Sequence, residues 1–163
     1  MASLLKKLIS DDRGAAIVEA AVTFPVLLTL GLGVFEFSNA FYDHQEITTG
    51  VRDAARYMAR VPGSCADATA VSNATNLAVN GAIAGGTPRV SGWTGVAIGC
   101  ATVANPLVAG ERTYRGGDPN NNYAITIVTV TASVPYQGFG LLSYRRLTPP
   151  TFTLAHSERS IGD

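Results

Sequence analysis

An apolar run near the N-terminus constrains this chain more than any other feature. The 21 residues from Ala15 to Phe35 carry a single charge, Glu19, close to the start of the run. As an α-helix the run would be about 31 Å long, close to the roughly 30 Å hydrocarbon core of a bilayer. Polar and helix-weakening residues, Pro25 among them, reduce the favourable insertion energy. We therefore predict a membrane helix that inserts by a modest margin.

The charges that flank the apolar run predict its orientation. Lys6, Lys7 and Arg13 precede the run, and the next basic residue after it is Arg52. Because Lys and Arg are retained on the cytoplasmic side of a membrane, we expect the N-terminus to be cytoplasmic. The chain from about Ser38 onward would then be exported.

The composition argues against several classes of function. The chain has 12 Lys and Arg against 12 Asp and Glu, and only 15% of its residues are charged, so no clustered basic face for nucleic acid is expected. Two cysteines do not complete a tetrahedral zinc site. No Gly-x-Ser-x-Gly motif accompanies His156-Ser157-Glu158. We expect no enzymatic activity, no metal or other cofactor, and no nucleic-acid or small-molecule partner.

The N-terminus has three interpretations. It could be a permanent anchor, or a secretory signal cleaved after Ser38-Asn39-Ala40. In the third, cleavage after Gly14 makes Ala15 the first residue and Glu19 the fifth. The Glu19 carboxylate could then neutralise the N-terminal ammonium of a neighbouring subunit in apolar surroundings. Alternatively, Glu19 sits at headgroup depth and faces water.

Several motifs between Arg13 and Arg60 together resemble the TadE-like family. This family consists of pseudopilins, or minor pilins, of the tight-adherence (Flp, type IVb) pilus system. The similar features are Gly14 with Glu19 five residues later, Phe24-Pro25 within the helix, Glu36-Phe37 at its exit, and Arg52-Asp-Ala-Ala-Arg-Tyr57. The length favours a TadE-like over a larger TadG-like member, and beyond Arg60 the resemblance is loose.

The resemblance implies a prepilin that a prepilin peptidase cuts between Gly14 and Ala15, with Glu19 needed for assembly. Its implied partners are other pilins or pseudopilins, inner-membrane Tad assembly proteins and membrane lipid. It implies a single-pass protein of the bacterial inner membrane, or of the cell surface within a pilus, that supports adhesion and biofilm formation. The alternative is a membrane-anchored extracytoplasmic binding or adhesion domain that does not polymerise.

The expected organisation is a leader (1–14), a transmembrane and amphipathic spine helix (15–61) and an extracytoplasmic α+β domain (62–163). Pro25 would kink the helix. Its later part has an apolar and a basic stripe, formed by Ile47, Val51, Ala54 and Met58 and by Arg52, Arg56 and Arg60. Asp53 is spaced to pair with Arg56. Val61-Pro62 should end the helix.

The remaining residues predict an α+β fold with one short helix and an antiparallel sheet. The short helix is expected from Ser64, its N-cap, to Ala84, before Gly85-Gly86. Strands are expected at 89–93, 96–103, 123–134 and 152–157, with a long surface loop at 105–122.

Two cysteines, Cys65 and Cys100, fall in the part expected to be exported. In an oxidising compartment they would pair and contribute roughly 3 to 4 kcal/mol in the loop-entropy model. The alternative is two buried free thiols.

Overall fold

A computed structural model of the chain describes residues 12–104, 124–140 and 148–161. These residues form two helices, α1 (Asp12–Arg60) and α2 (Ala68–Asn80), and three strands, β1 (Ala97–Ala104), β2 (Ala124–Pro135) and β3 (Thr151–Arg159). The strands make one antiparallel sheet in the order β1-β2-β3. A long apolar helix, a short helix and an antiparallel sheet confirm the predicted α+β class.

The chain divides into two compact units, Met1–Asn39 and Ala40–Asp163. Helix α1 contributes to both, and Pro25 lies inside it, where it removes one donor from the helical hydrogen-bond ladder. The helix ends at Arg60, directly before Val61-Pro62, because the residue before a proline is disfavoured in the α region. The predicted loop at 105–122 lies outside the described residues.

The apolar stripe predicted on the later part of α1 faces the core. Ile47, Val51, Ala54 and Met58 are each at most 1% exposed. They form one hydrophobic cluster with buried residues of α2 (Ala70, Ala74, Ala78 and Val79) and of β2 (Val128, Val130, Ala132 and Val134). In β2 the buried residues alternate along the strand. The period of the stripe, between three and four residues, is therefore the period of helix burial.

Small residues bring α1 and α2 close together. A Cβ atom added at Gly50 of α1 would collide with the carbonyl oxygen of Ala78 in α2 and would lie 2.6 Å from the ring of Trp93. Trp93 is 2% exposed, and its indole N–H donates to the Gly95 carbonyl at 2.9 Å. Position 50 therefore has no room for a side chain.

Helix α2 is shorter than predicted at both ends. Asp67, not Ser64, is the N-cap: its carboxylate accepts from the Thr69 N–H at 2.8 Å. The Ser64 hydroxyl is buried and donates to the Met58 carbonyl at 2.8 Å, so Ser64 closes the end of α1 instead. Gly81, in the left-handed conformation, ends α2 four residues before the predicted Gly85-Gly86 stop.

The segment 89–93, predicted as a strand, is a loop. The Arg89 N–H donates to the Val79 carbonyl at 2.7 Å, and Gly92 has a φ of 79°, which interrupts an extended conformation. Val90 and Trp93 are buried, so the apolar residues of this segment fill the core from a loop. The other three predicted strands are present within about two residues of their expected ends.

The predicted pairing of Cys65 with Cys100 is present as a disulfide. The two Cα atoms are 6.2 Å apart, and the bond joins the α1–α2 connection to β1. Both residues are exposed, so the alternative of buried thiols is excluded.

Replacing both cysteines with serine should lower the free energy of unfolding of the unit Ala40–Asp163 by about 3 to 4 kcal/mol. The loss arises because, without the bond, the unfolded chain regains the conformational entropy that it loses when two residues 35 positions apart are joined. Denaturant unfolding of the full chain in detergent micelles, followed by Trp93 fluorescence, measures it. Reductant should move the wild type to the midpoint of the variant and leave the variant unchanged. Equal midpoints for the oxidised wild type and the variant would contradict the prediction.

Candidate assembly helix

The first turns of α1 present the predicted cleavage and assembly residues to the surroundings. Gly14, Ala15 and Glu19 are all exposed. Ala15 and Glu19 are four residues apart and therefore lie on the same face of the helix. Within the described part of the chain, Glu19 makes no ion pair. Its carboxylate is thus available to a cation from another molecule.

The next six turns of α1 expose apolar side chains on every face. The large residues are between 47% and 73% exposed (Ile17, Val18, Val22, Phe24, Val26, Leu27, Leu28, Leu30, Leu32, Val34, Phe35 and Phe37). This helix is long and apolar enough to cross a membrane, and it lies near the N-terminus. An isolated helix that is apolar all round needs lipid or other helices around it.

Residues 14–56 match a family model described as TadE-like protein. The N-terminal region is TadE-like. The match begins at Gly14, includes Glu19 and the whole apolar segment, and ends at Arg56, so it covers about a quarter of the chain. No curated protein and no solved structure matches the chain. The TadE-like region relates this chain to minor-pilin-like proteins of the tight-adherence pilus in general.

The basic stripe of the TadE-like region pairs differently from the prediction. Asp53 does not pair with Arg56, the neighbour three residues away. Instead, Asp53 Oδ2 lies 3.1 Å from the Nη2 of Arg89, which also has Glu46 at 3.9 Å. Because the Arg89 side chain is only 18% exposed, this guanidinium gains more from the two carboxylates than an exposed arginine would.

The spacing of Glu46 and Asp53 contained a signal for this ion pair. Residues seven apart lie on one face of a helix, so two carboxylates there favour a cation between them. Arg89 fits because its side chain lies beside Gly81, where a Cβ would approach the guanidinium to about 3 Å. The sequence does not show which of several arginines reaches this point, since Arg89 is 36 residues from Asp53.

A second polar cluster joins the C-terminal strand to α1. His156 Nε2 is 3.0 Å from Glu158 Oε1, and Arg56 Nε is 3.7 Å from the same oxygen. Ser157 lies on the opposite face of β3, where its hydroxyl is 2.8 Å from that of Thr129. His156, Ser157 and Glu158 therefore do not converge as a nucleophilic triad would.

The hydrogen bond from His156, with the positive charges of His156 and Arg56, holds the pKa of Glu158 below its ordinary value of 4.5. The ionised Glu158 carboxylate therefore stabilises the fold above pH 4.5. This stabilisation is lost as the pH falls through the lowered pKa that Glu158 has in the folded state. We expect Glu158→Gln to reduce the loss of stability below pH 4.5. Denaturant midpoints of both proteins across the acid range test this. Parallel curves for the two proteins would refute it.

Proposed function

We propose that this chain is a TadE-like pseudopilin, cut after Gly14 by a prepilin peptidase and assembled with other pilins into a tight-adherence pilus or its secretion apparatus. It is a substrate of the peptidase and of the Tad assembly proteins, and has no enzymatic activity of its own. Its N-terminus lies in the cytoplasm, and the unit that follows the membrane helix is exported. In the pilus it supports adhesion and biofilm formation.

One observation carries the proposal: Glu19, an exposed carboxylate without an ion pair among the described residues, lies one turn after the proposed cleavage point, in a segment (15–35) that is otherwise uncharged and exposes apolar side chains on all sides. A permanent anchor gains nothing from a carboxylate at this depth, since a charge near hydrocarbon is costly. A subunit packed among copies of the same helix does gain from it. The family match to this segment supports the same conclusion.

The proposed role of Glu19 follows from charge neutralisation. Cleavage leaves an ammonium on Ala15, and an unpaired ammonium or carboxylate between packed apolar helices costs several kcal/mol. Ala15 of one subunit and Glu19 of its neighbour remove both costs when they meet. The pair therefore favours a fixed axial offset between adjacent helices and disfavours other offsets.

The other candidate function is an anchored extracytoplasmic binding or adhesion domain, favoured by a helix that is long enough to span a bilayer. N-terminal sequencing of the protein recovered from its host separates the candidates. A start at Ala15 supports the pseudopilin. A start at Met1 or Ala2 supports the anchor, and a start at Phe41 indicates a secreted protein; either result would overturn the proposal.

Glu19→Ala should be cleaved normally but assemble poorly. Leaving one member of a buried ion pair unpaired costs about 3 to 5 kcal/mol, so the association constant should fall about a hundredfold or more. Sheared surface fractions, compared with membrane fractions by immunoblotting, measure assembly.

Glu19→Asp is the matched control, because it keeps the carboxylate and should assemble better than Glu19→Ala. Normal assembly of Glu19→Ala would rule out the charge pair. Equal failure of both variants would show that the length of the side chain, rather than its charge, matters.

A further inference from the structure

We infer that Phe41, Tyr42 and Phe139 form an interfacial aromatic cluster that holds the exported unit against the lipid headgroup layer of the membrane that α1 crosses. This interaction surface for lipid rests on membrane insertion of α1, and on neither cleavage nor assembly. All three side chains belong to the compact unit that begins at Ala40.

Strand β3 runs alongside α1 in the same direction, which defines the two ends of this unit. At the start of β3, the Phe152 ring centroid is 5.8 Å from that of His44. Toward its end, Glu158 meets Arg56, and the Ile161 N–H donates to the Ala59 carbonyl at 2.8 Å. The end of β2, which pairs with the start of β3, is therefore at the end of the unit where α1 enters.

Phe139 lies in the turn at this end. The Tyr136 ring contacts Phe152 at 5.7 Å, and the Tyr136 N–H donates to the Pro150 carbonyl, so the turn begins beside the first residues of β3. Phe139 follows three residues later between Gly138 and Gly140, both with positive φ, and is 68% exposed. A large, exposed apolar side chain in this position is suited to insert into lipid or to pack against another molecule.

Phe41 and Tyr42 provide the matching aromatic residues on α1. They are 58% and 61% exposed and lie within one turn of His44. Residues 37–42 carry no charge, and the first charged residue after them is Asp43. Tyr42 is seven residues beyond the end of the apolar run at Phe35, or about 10 Å along a helix, so it lies close to the headgroup layer of a spanning helix.

The lipid interface fits this cluster better than a second copy of the chain does. Aromatic side chains are enriched at the boundary of the hydrocarbon, where an apolar ring and a polar hydroxyl are both accommodated. Phe41 and Tyr42 follow closely on the apolar segment that itself needs lipid, after Glu36, Ser38 and Asn39, and a charged residue, Asp43, comes directly after them. Ile161, another large exposed apolar residue of the unit, lies at the opposite end, where its N–H donates to the Ala59 carbonyl.

Tryptophan reporters in the full chain, reconstituted into vesicles of phosphatidylethanolamine and phosphatidylglycerol, test the inference. Phe139→Trp reports on the cluster, Leu28→Trp on the membrane segment, and Ile161→Trp is the matched control, since it is 72% exposed at the other end of β3. The native Trp93 is buried and gives the same background in each. The quenchers are lipids brominated near the top or near the end of the acyl chain.

The added emission of Phe139→Trp should shift to the blue, and roughly half of it should be lost to lipid brominated near the top of the chain. Leu28→Trp should be quenched by lipid brominated near the end of the chain, and Ile161→Trp by neither. Quenching of Leu28→Trp with no more quenching at 139 than at 161 would overturn the inference while leaving the membrane helix in place. A blue shift at 139 without lipid quenching would mean a protein partner and would also overturn it. No quenching at position 28 would overturn the membrane placement on which the inference rests.

Discussion

Replacing Gly14 with leucine should leave residues 1–14 attached and abolish assembly. We expect a peptidase that cuts after glycine to exclude the branched side chain of leucine, so processing should be lost nearly completely. The structure separates this effect from folding, because a Cβ added at Gly14 meets nothing within 4 Å. Mass spectrometry of the purified protein measures whether the leader is present, and surface fractions measure assembly.

Gly33→Leu is the matched control for processing. Gly33 lies in the same helix and is equally unhindered, so leucine is accommodated there and the leader should be removed as usual. Removal of the leader from Gly14→Leu would place the cleavage site elsewhere. Retention of the leader in both variants would mean that glycine replacement anywhere in the helix disturbs membrane insertion.

Gly50→Ala should destabilise the unit Ala40–Asp163 by about 2 kcal/mol. Alanine gains up to about 1 kcal/mol in helix propensity, but overpacking a filled core costs about 1 to 3 kcal/mol and more where the obstacle is backbone. Here the obstacle is the Ala78 carbonyl, which cannot move without displacing α2. Denaturant unfolding followed by Trp93 fluorescence measures the loss.

Gly99→Ala provides the comparison for this prediction. Gly99 lies in β1, and a Cβ added there is 4.0 Å from the nearest atom, the Thr129 carbonyl oxygen. The alanine variant should therefore be as stable as the wild type or slightly more so. A Gly50→Ala protein of unchanged stability would show that α1 and α2 are not in close contact.

Features that arise from local periodicity could be predicted from the sequence. The buried stripe of α1 repeats at helical spacing, and the β-branched alternation of β2 identifies its buried face. The observed order β1-β2-β3 places successive strands side by side, as is common for strands that follow one another in the chain. For these elements the residues that determine the structure are close together in the chain.

Features decided by competition between residues could not be predicted in this way. Ser64 and Asp67 are both good N-caps, and burial of Ser64 against Met58 decides between them. Arg89 competes with Arg56 for Asp53, and its partial burial strengthens the distant pairing. Val90 and Trp93 have the apolar spacing of a strand, yet they fill the core from a loop. For Ser64 the deciding contact is six residues away, and for Arg89 it is 36 residues away, so packing outweighs the local preference over both short and long separations.

The candidate site could be predicted at the level of individual residues but not of their surroundings. The position of Glu19 after Gly14 is visible in the sequence, and its exposure in the structure agrees with a role between molecules. The Arg56–Glu158–His156 cluster was not predicted. Arg56 is at least 100 residues from His156 and Glu158 in the chain, and it meets them only when β3 lies along α1. Helical spacing contains no information about such a pairing.

The alignment of β3 with α1 has a mechanical consequence when a force acts on the helix. Contacts between α1 and the segment formed by β3 and the two residues after it extend from His44 to Ala59, about 22 Å along the helix axis. A force applied along α1 would load all of these contacts at once in shear, whereas a transverse force would peel them apart one after another. Within the unit Ala40–Asp163, these contacts therefore resist a lengthwise pull on the helix together.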